Sequence, residues 1–178
     1  MKQSIGFWQM SGFIFTAVLG TILHFAFDWT GANGVLALFS AVNESIWEHM
    51  KLLYYPMLLF SVIEYKAWGR EYPGFWCVQL VGQLVGLTLI PVLYYTYTGS
   101  LGVEADWFNI TIFFLTAGLS FYLEAKLLQK GHSCRIAPKA ALAMLLTISM
   151  IFTVFTFWTP KIPLFRDPVT GSYGFQPG

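Results

Sequence analysis

Along the chain, long apolar runs alternate with short pieces rich in turn formers and charge. A hydrocarbon core about 30 Å thick is crossed by roughly 20 helical residues, and five runs have that length: residues 6–27, 44–66, 74–97, 106–128 and 138–158. The pieces between them, including DWTGANG, WGREYPG and KGHSCRIAP, carry the glycine, proline and Asp/Asn residues that interrupt helices. The runs are continuously apolar rather than alternating, so they read as helices and not as barrel strands; a helix pairs its own backbone groups inside lipid. The pattern predicts an all-α polytopic membrane bundle of five transmembrane helices, a single integral domain over residues 1–178 whose last part, 159–178, is a tail.

Composition supports the lipid environment. The chain is 56% hydrophobic, 19% aromatic and only 11% charged, whereas soluble domains carry about a quarter charged residues. A net charge of +1 without a concentrated basic face argues against a nucleic-acid partner. The first run is longer than the apolar core of a signal peptide and lacks a small-residue cleavage pattern, so it reads as a retained span. Cys77 and Cys134 match no metal or redox spacing and are expected to be unpaired packing residues.

Basic residues give an orientation. Lys2, Lys66, Arg70, Lys126, Lys130, Arg135 and Lys139 fall at one set of span ends, and Asp28, Glu104 and Asp106 at the other. The positive-inside rule then predicts N-inside, C-outside, although Lys161 and Arg166 in the tail oppose it mildly. Trp29, Trp68, Trp107 and Trp158 near span ends fit an aromatic belt. Gly82 and Gly86 form a small-xxx-small pair that admits a second helix, a surface for homo-oligomer packing, and Pro56 and Pro91 are expected to bend their spans.

The segment NESIWEHMK, residues 43–51, is where charge enters lipid. Charges just inside the boundary cost about 1–3 kcal/mol each and turn toward protein or water. Helical spacing places Glu44, Glu48 and Lys51 on one face of the second span, and His24 with Asp28 on one face at the end of the first. His49 points about 100° away from Glu48. Asn43 is expected to cap the second helix. The plain readings are a neutralising Glu48–Lys51 pair and a hydrogen-bonded His24–Asp28 pair; the sharper one is a shared outer-leaflet site. By contrast Glu64 beside Lys66, and Glu124 beside Lys126, are expected at the cytoplasmic interface, and His132 in a basic loop is expected to take no part in chemistry.

The tail interleaves Pro160, Pro163, Pro168 and Pro177 with Phe165, Tyr173 and Phe175, and DPVTG supplies a turn. It is expected to be an ordered flap, with two arrangements open: Arg166 or Asp167 closing over the polar cluster, or a tail lying flat on the bilayer surface. On the stretches HFAFDW, NESIWEHMKLLYYPM and IPLFRDPVTGSYG the chain resembles an uncharacterised family of small multi-pass bacterial membrane proteins, a domain of unknown function. The resemblance implies a place in the bacterial cytoplasmic membrane and makes His24, Asp28, Asn43, Glu44, Glu48, His49 and Lys51 part of the family pattern. It implies no reaction.

Three functions remain open at this point. In the first, the outer cluster binds a cation or polar ligand. In the second it is a metal-dependent or acid/base hydrolase site: His24, Asp28, Glu44 and Glu48 offer ligands suited to a divalent ion such as zinc, and Glu48, Glu44 and His24 are the candidate catalytic groups. No H-E-x-x-H or G-x-S-x-G motif accompanies them. In the third, the buried charges only specify helix packing in a scaffold.

Overall fold

A computed structural model of the chain describes residues 2–131 and 134–176; Met1, His132, Ser133, Pro177 and Gly178, and with them the expectation for His132, lie outside the described residues. Five helices form, α1 (Lys2–Trp29), α2 (Ile46–Ala67), α3 (Phe75–Leu101), α4 (Asp106–Gln129) and α5 (Pro138–Phe157), each over one of the five apolar runs. Short 3-10 turns at Leu36–Leu38, Gly69–Glu71 and Pro163–Phe165 punctuate the connections. Among the described residues there is no strand, only an isolated bridge between Arg166 and Tyr173.

Local chemistry sets the helix ends. Ser45 caps α2 by accepting from the Glu48 amide at 3.4 Å, while Asn43, the cap expected from sequence, accepts from the Ser45 amide at 2.9 Å and makes the turn one step earlier. The helix therefore begins after Glu44. Left-handed Gly102 closes α3 at a φ of 67°, and Pro138 opens α5 where its missing N–H has no partner to lose. Pro56 and Pro91 lie inside continuous helices.

Four of the five helices are long and apolar enough to cross a membrane: α1 over Ile5–Trp29, α3, α4 and α5. The exception is α2, whose sequence holds Glu48, Lys51, Glu64 and Lys66. Its position accounts for that composition. Thirteen of its 22 residues are buried, including Glu48, Lys51 and Glu64, whereas α5 buries four of its 20. The outer helices instead expose Phe7, Ile14, Val18, Ile110 and Met150, the arrangement expected of helices facing hydrocarbon. Trp29, Trp107 and Trp158 are exposed at helix ends.

Glycines bring these helices close. A methyl group at Gly12 of α1 would stand 2.5 Å from Phe121 and 2.7 Å from Phe60, and one at Gly20 would stand 2.7 Å from the Leu52 carbonyl. On α3, Gly82 backs onto the Glu124 carboxyl and Gly86 onto Leu53 and Ser120, so this small-residue pair admits the chain's own α4 and α2. Cys77 and Cys134, expected to be unpaired, are joined in a disulfide with Cα atoms 6.1 Å apart. Antiparallel α3 and α4 return the chain to the start of α3, which closes a separation of 57 residues that spacing arguments do not bridge.

Gly12→Ala is expected to lower stability in detergent by about 1–3 kcal/mol through overpacking. Gly6→Ala, at a position with open space around it, is the control and should be neutral or slightly stabilising. Equal thermal unfolding of the two variants would contradict the α1 docking described.

Candidate functional site

The last turns of α1 and the first turn of α2 meet at one end of the bundle, joined by residues 30–45. Three side chains converge there. Glu44 Oε2 stands 3.7 Å from His24 Nε2 and 3.5 Å from His49 Nε2, and one ligand atom from each residue falls within 4.8 Å of the other two. The imidazole rings meet edge to face with centroids 5.3 Å apart. Two ligands held 2.0–2.1 Å from a tetrahedral ion stand about 3.4 Å apart, so this triangle has the dimensions of half-closed zinc coordination.

Orientation of the His49 ring is fixed by its other nitrogen. Nδ1 lies 2.9 Å from the Ser45 carbonyl. A carbonyl only accepts, so Nδ1 is a donor, and Nε2 faces Glu44 either as the lone pair of the neutral ring or as the second N–H of the imidazolium. A lone pair facing a carboxylate is repulsive unless a proton or a metal ion sits between them. A backbone carbonyl at Nδ1 is also the kind of outer-shell partner that orients metal-binding histidines. His24 Nδ1 is buried without a partner, which leaves Nε2 as its functional edge.

The side chains of His24, His49 and Glu44 retain 29%, 24% and 46% exposure, so water reaches the triangle. Asp28 is exposed and outside the three-residue group, although its charge is felt at His24. His49, which the helical wheel set apart, completes the cluster because Glu44 precedes the helix and bends back toward it.

Glu48 and Lys51 occupy the opposite side of α2. Their ion pair is 2.6 Å long, with side chains 1% and 0% exposed. Lys51 Nζ also donates to the Ala37 carbonyl at 2.9 Å and to Thr156 Oγ1 at 3.0 Å. Glu48 accepts from the Thr156 hydroxyl at 3.2 Å and from the Val42 amide at 3.1 Å. Both charges are fully engaged, and the pair joins α2 to the Leu36–Leu38 turn and to α5.

The tail folds onto this same end. Phe165 is buried against Trp47 and Phe155, Phe175 packs on Phe27 and Phe157, and the Phe175 amide donates to the Thr156 carbonyl at 2.8 Å. Asn43 Nδ2 donates to the Gly174 carbonyl at 3.3 Å. Asp167 is buried and accepts from Thr170 Oγ1 and from the Val169 and Thr170 amides. Burial pushes its carboxyl up, but the Thr170 hydroxyl and the amides of Val169, Thr170 and Glu44 outweigh this and hold it below the usual range. Arg166 is exposed and lies along Gly171 within the tail's own hairpin. Of the two expected lid residues, Asp167 faces the start of α2 and Arg166 does not.

Sequence reasoning missed a second polar zone. Glu64 and Glu124, expected at the interface, are both 0% exposed. Glu64 accepts from Gln9 Nε2 at 2.7 Å and Gln79 Nε2 at 3.3 Å, and Ser61 links Gln79 to Gln83. The signal was present on α3, where Gln79, Gly82, Gln83 and Gly86 recur at one helical face.

Four helices long and apolar enough to cross a membrane, packed with a fifth that carries buried charge, have the make-up of a helical membrane protein. The chain belongs to the family described as Family of unknown function (DUF6512), which covers residues 1–175. No curated protein and no solved structure matches it.

Lys51→Met should cost about 3–5 kcal/mol, because it strands the Glu48 carboxylate in the core. The double variant Glu48→Gln/Lys51→Met should recover a large part of that loss in thermal unfolding. A double variant as unstable as the sum of the two single changes would contradict the pairing.

Proposed function

We propose that this protein is a five-span membrane protein, N-inside and C-outside in a bacterial cytoplasmic membrane, that binds a divalent transition metal at its outer end through His24 Nε2, His49 Nε2 and Glu44. In this reading α2 is the fifth span, shielded from lipid by its neighbours. The observation that carries the metal assignment is the convergence of His24 Nε2 and His49 Nε2 on Glu44 Oε2 at 3.7 and 3.5 Å, with His49 Nδ1 committed to the Ser45 carbonyl so that Nε2 is the nitrogen turned to the site. An ion among the three atoms would be bonded by each of them. Imidazole and carboxylate suit zinc and its neighbours better than calcium or magnesium.

Asp28 supports the site through charge at its rim, while Glu48 and Lys51 fix the backbone that presents Glu44 and His49. Asn43 and Asp167 hold the covering tail. A second reading, metal-assisted hydrolysis at the outer leaflet, is favoured by the water-exposed edge of the triangle: two histidines and one carboxylate leave a coordination position for a water, which the metal would acidify into a nucleophile.

Zinc titration of purified, chelator-treated protein is expected to saturate at one ion per chain. His49→Ala and His24→Ala should each weaken binding by more than about 100-fold, beyond the roughly 10–100-fold typical of losing an outer-shell partner. Glu48→Gln should not change the stoichiometry. Unaltered zinc affinity in both histidine variants would remove the metal reading. For the topology, a reporter fused after Gly178 is expected to fold and act only outside the cytoplasm; activity inside would reverse it.

A further inference from the structure

The inner polar zone contains an unusual concentration of unsatisfied oxygen. Among the described residues, every buried side-chain oxygen without a hydrogen-bond partner belongs to Gln9, Thr16, Gln83, Ser120 or Glu124. All five are at most 3% exposed. They come from α1, α3 and α4, and Glu64 and Ser61 of α2 join the same network. Both oxygens of Glu124 lack a partner, as do the amide oxygens of Gln9 and Gln83. Those amide oxygens accept and never donate, so hydrogen-bonding among them and a carboxylate leaves every lone pair opposed.

The two carboxyls differ. Glu64 receives an amide N–H on each oxygen, from Gln9 and Gln79. Its charge is thereby solvated by dipoles. Glu124 receives nothing, and its carboxyl packs against the backbone at Gly82. Glu64 is tied through Gln9, Gln79, Ser61 and Gln83 into one hydrogen-bonded network, Gln83 follows Gly82 on α3, and Ser120 lies one turn before Glu124 on its own helix. Glu64 is the one titratable group whose charge reaches it, and that charge is of like sign. The neighbouring cations Lys66, Arg70 and Lys126 are exposed, Lys126 lying over the Tyr122 ring.

An unpaired carboxylate beside a second one in a membrane interior requires a positive species. Packing decides which. Gly82 leaves no space for a methyl group beside the Glu124 carboxyl, and Gly86 is filled by Leu53 and Ser120. The hollows along α3, at Pro91 and at Leu84, lie on its exposed face and are lined by none of these residues. A proton is the cation that needs no coordination shell and no room. We propose that Glu64 and Glu124 form a proton-binding site in the α1–α4 core, with one proton shared by the pair and carried on Glu124, where the Gln83 or Gln9 amide oxygen accepts it. The site is separate from the His24–Glu44–His49 triangle and lies near the opposite end of α2, three residues before Ala67.

Infrared difference spectroscopy of the full chain in proteoliposomes tests this. At neutral pH the wild type is expected to show the carbonyl stretch of a protonated carboxyl group, absent in Glu124→Gln, displaced in Glu124→Asp and retained in Glu44→Gln. A wild-type spectrum without that band overturns the proposal before any variant is made, as does a band that neither Glu124 variant alters. So does a rise in the unfolding temperature of the wild type with Na+, Ca2+ or Mg2+ that Glu124→Gln abolishes, since a metal ion would then occupy the site.

Discussion

The arrangement of the end of the bundle where α1 meets α2 depends on one ion pair held out of water, Glu48 with Lys51. Two charges in a low-dielectric interior persist only when their remaining donors and acceptors are also engaged. Here the ammonium reaches the Ala37 carbonyl and Thr156, and the carboxylate reaches Thr156 and the Val42 amide. These bonds gather the α1–α2 connection, the start of α2 and the end of α5 around one point. Because α2 is fixed there, His49 in its first turn and Glu44 just before it are delivered to His24 without belonging to the pair themselves.

A single helix therefore serves two polar zones of opposite character. At its N-terminal end the groups are nitrogen and oxygen, open to water, and spaced for a metal. Toward its C-terminal end they are carboxyls, amides and hydroxyls enclosed by α1, α3 and α4, and the atoms left unpartnered among them are oxygens. Water access separates the two zones: the half-buried imidazoles keep an edge open to solvent, whereas the enclosed carboxyl has only its packed neighbours. The tail contributes to this contrast. Phe165, Phe175 and the buried Asp167 cover the side of the bundle that holds the ion pair, while the histidine triangle retains its exposed edge.

How far all this could be read from the sequence follows from which rules act over short range. Apolar runs of membrane length located every helix, because burial in lipid or protein needs the same residues. The site was harder. Wheel geometry carried through Glu44 grouped it with Glu48 and Lys51, but Ser45 caps the helix, so Glu44 is free to turn the other way. Glu64 and Glu124 were read by their neighbours Lys66 and Lys126, yet residues two apart on a helix lie about 200° apart. The lysines point outward and the glutamates inward for that reason. The Cys77–Cys134 pair depends on how α3 and α4 align, which no local pattern encodes.

The crowding of charge on α2 also bears on how the chain enters a bilayer. A lone helix with Glu48, Lys51, Glu64 and Lys66 near its two ends is poorly suited to lipid, since each charge just inside the boundary costs about 1–3 kcal/mol. It gains shelter only when α1 and α3 already flank it and the Gln9, Gln79 and Thr156 partners are in reach. If α2 is the fifth span, as proposed, its integration depends on assembly with its neighbours rather than on its own hydropathy.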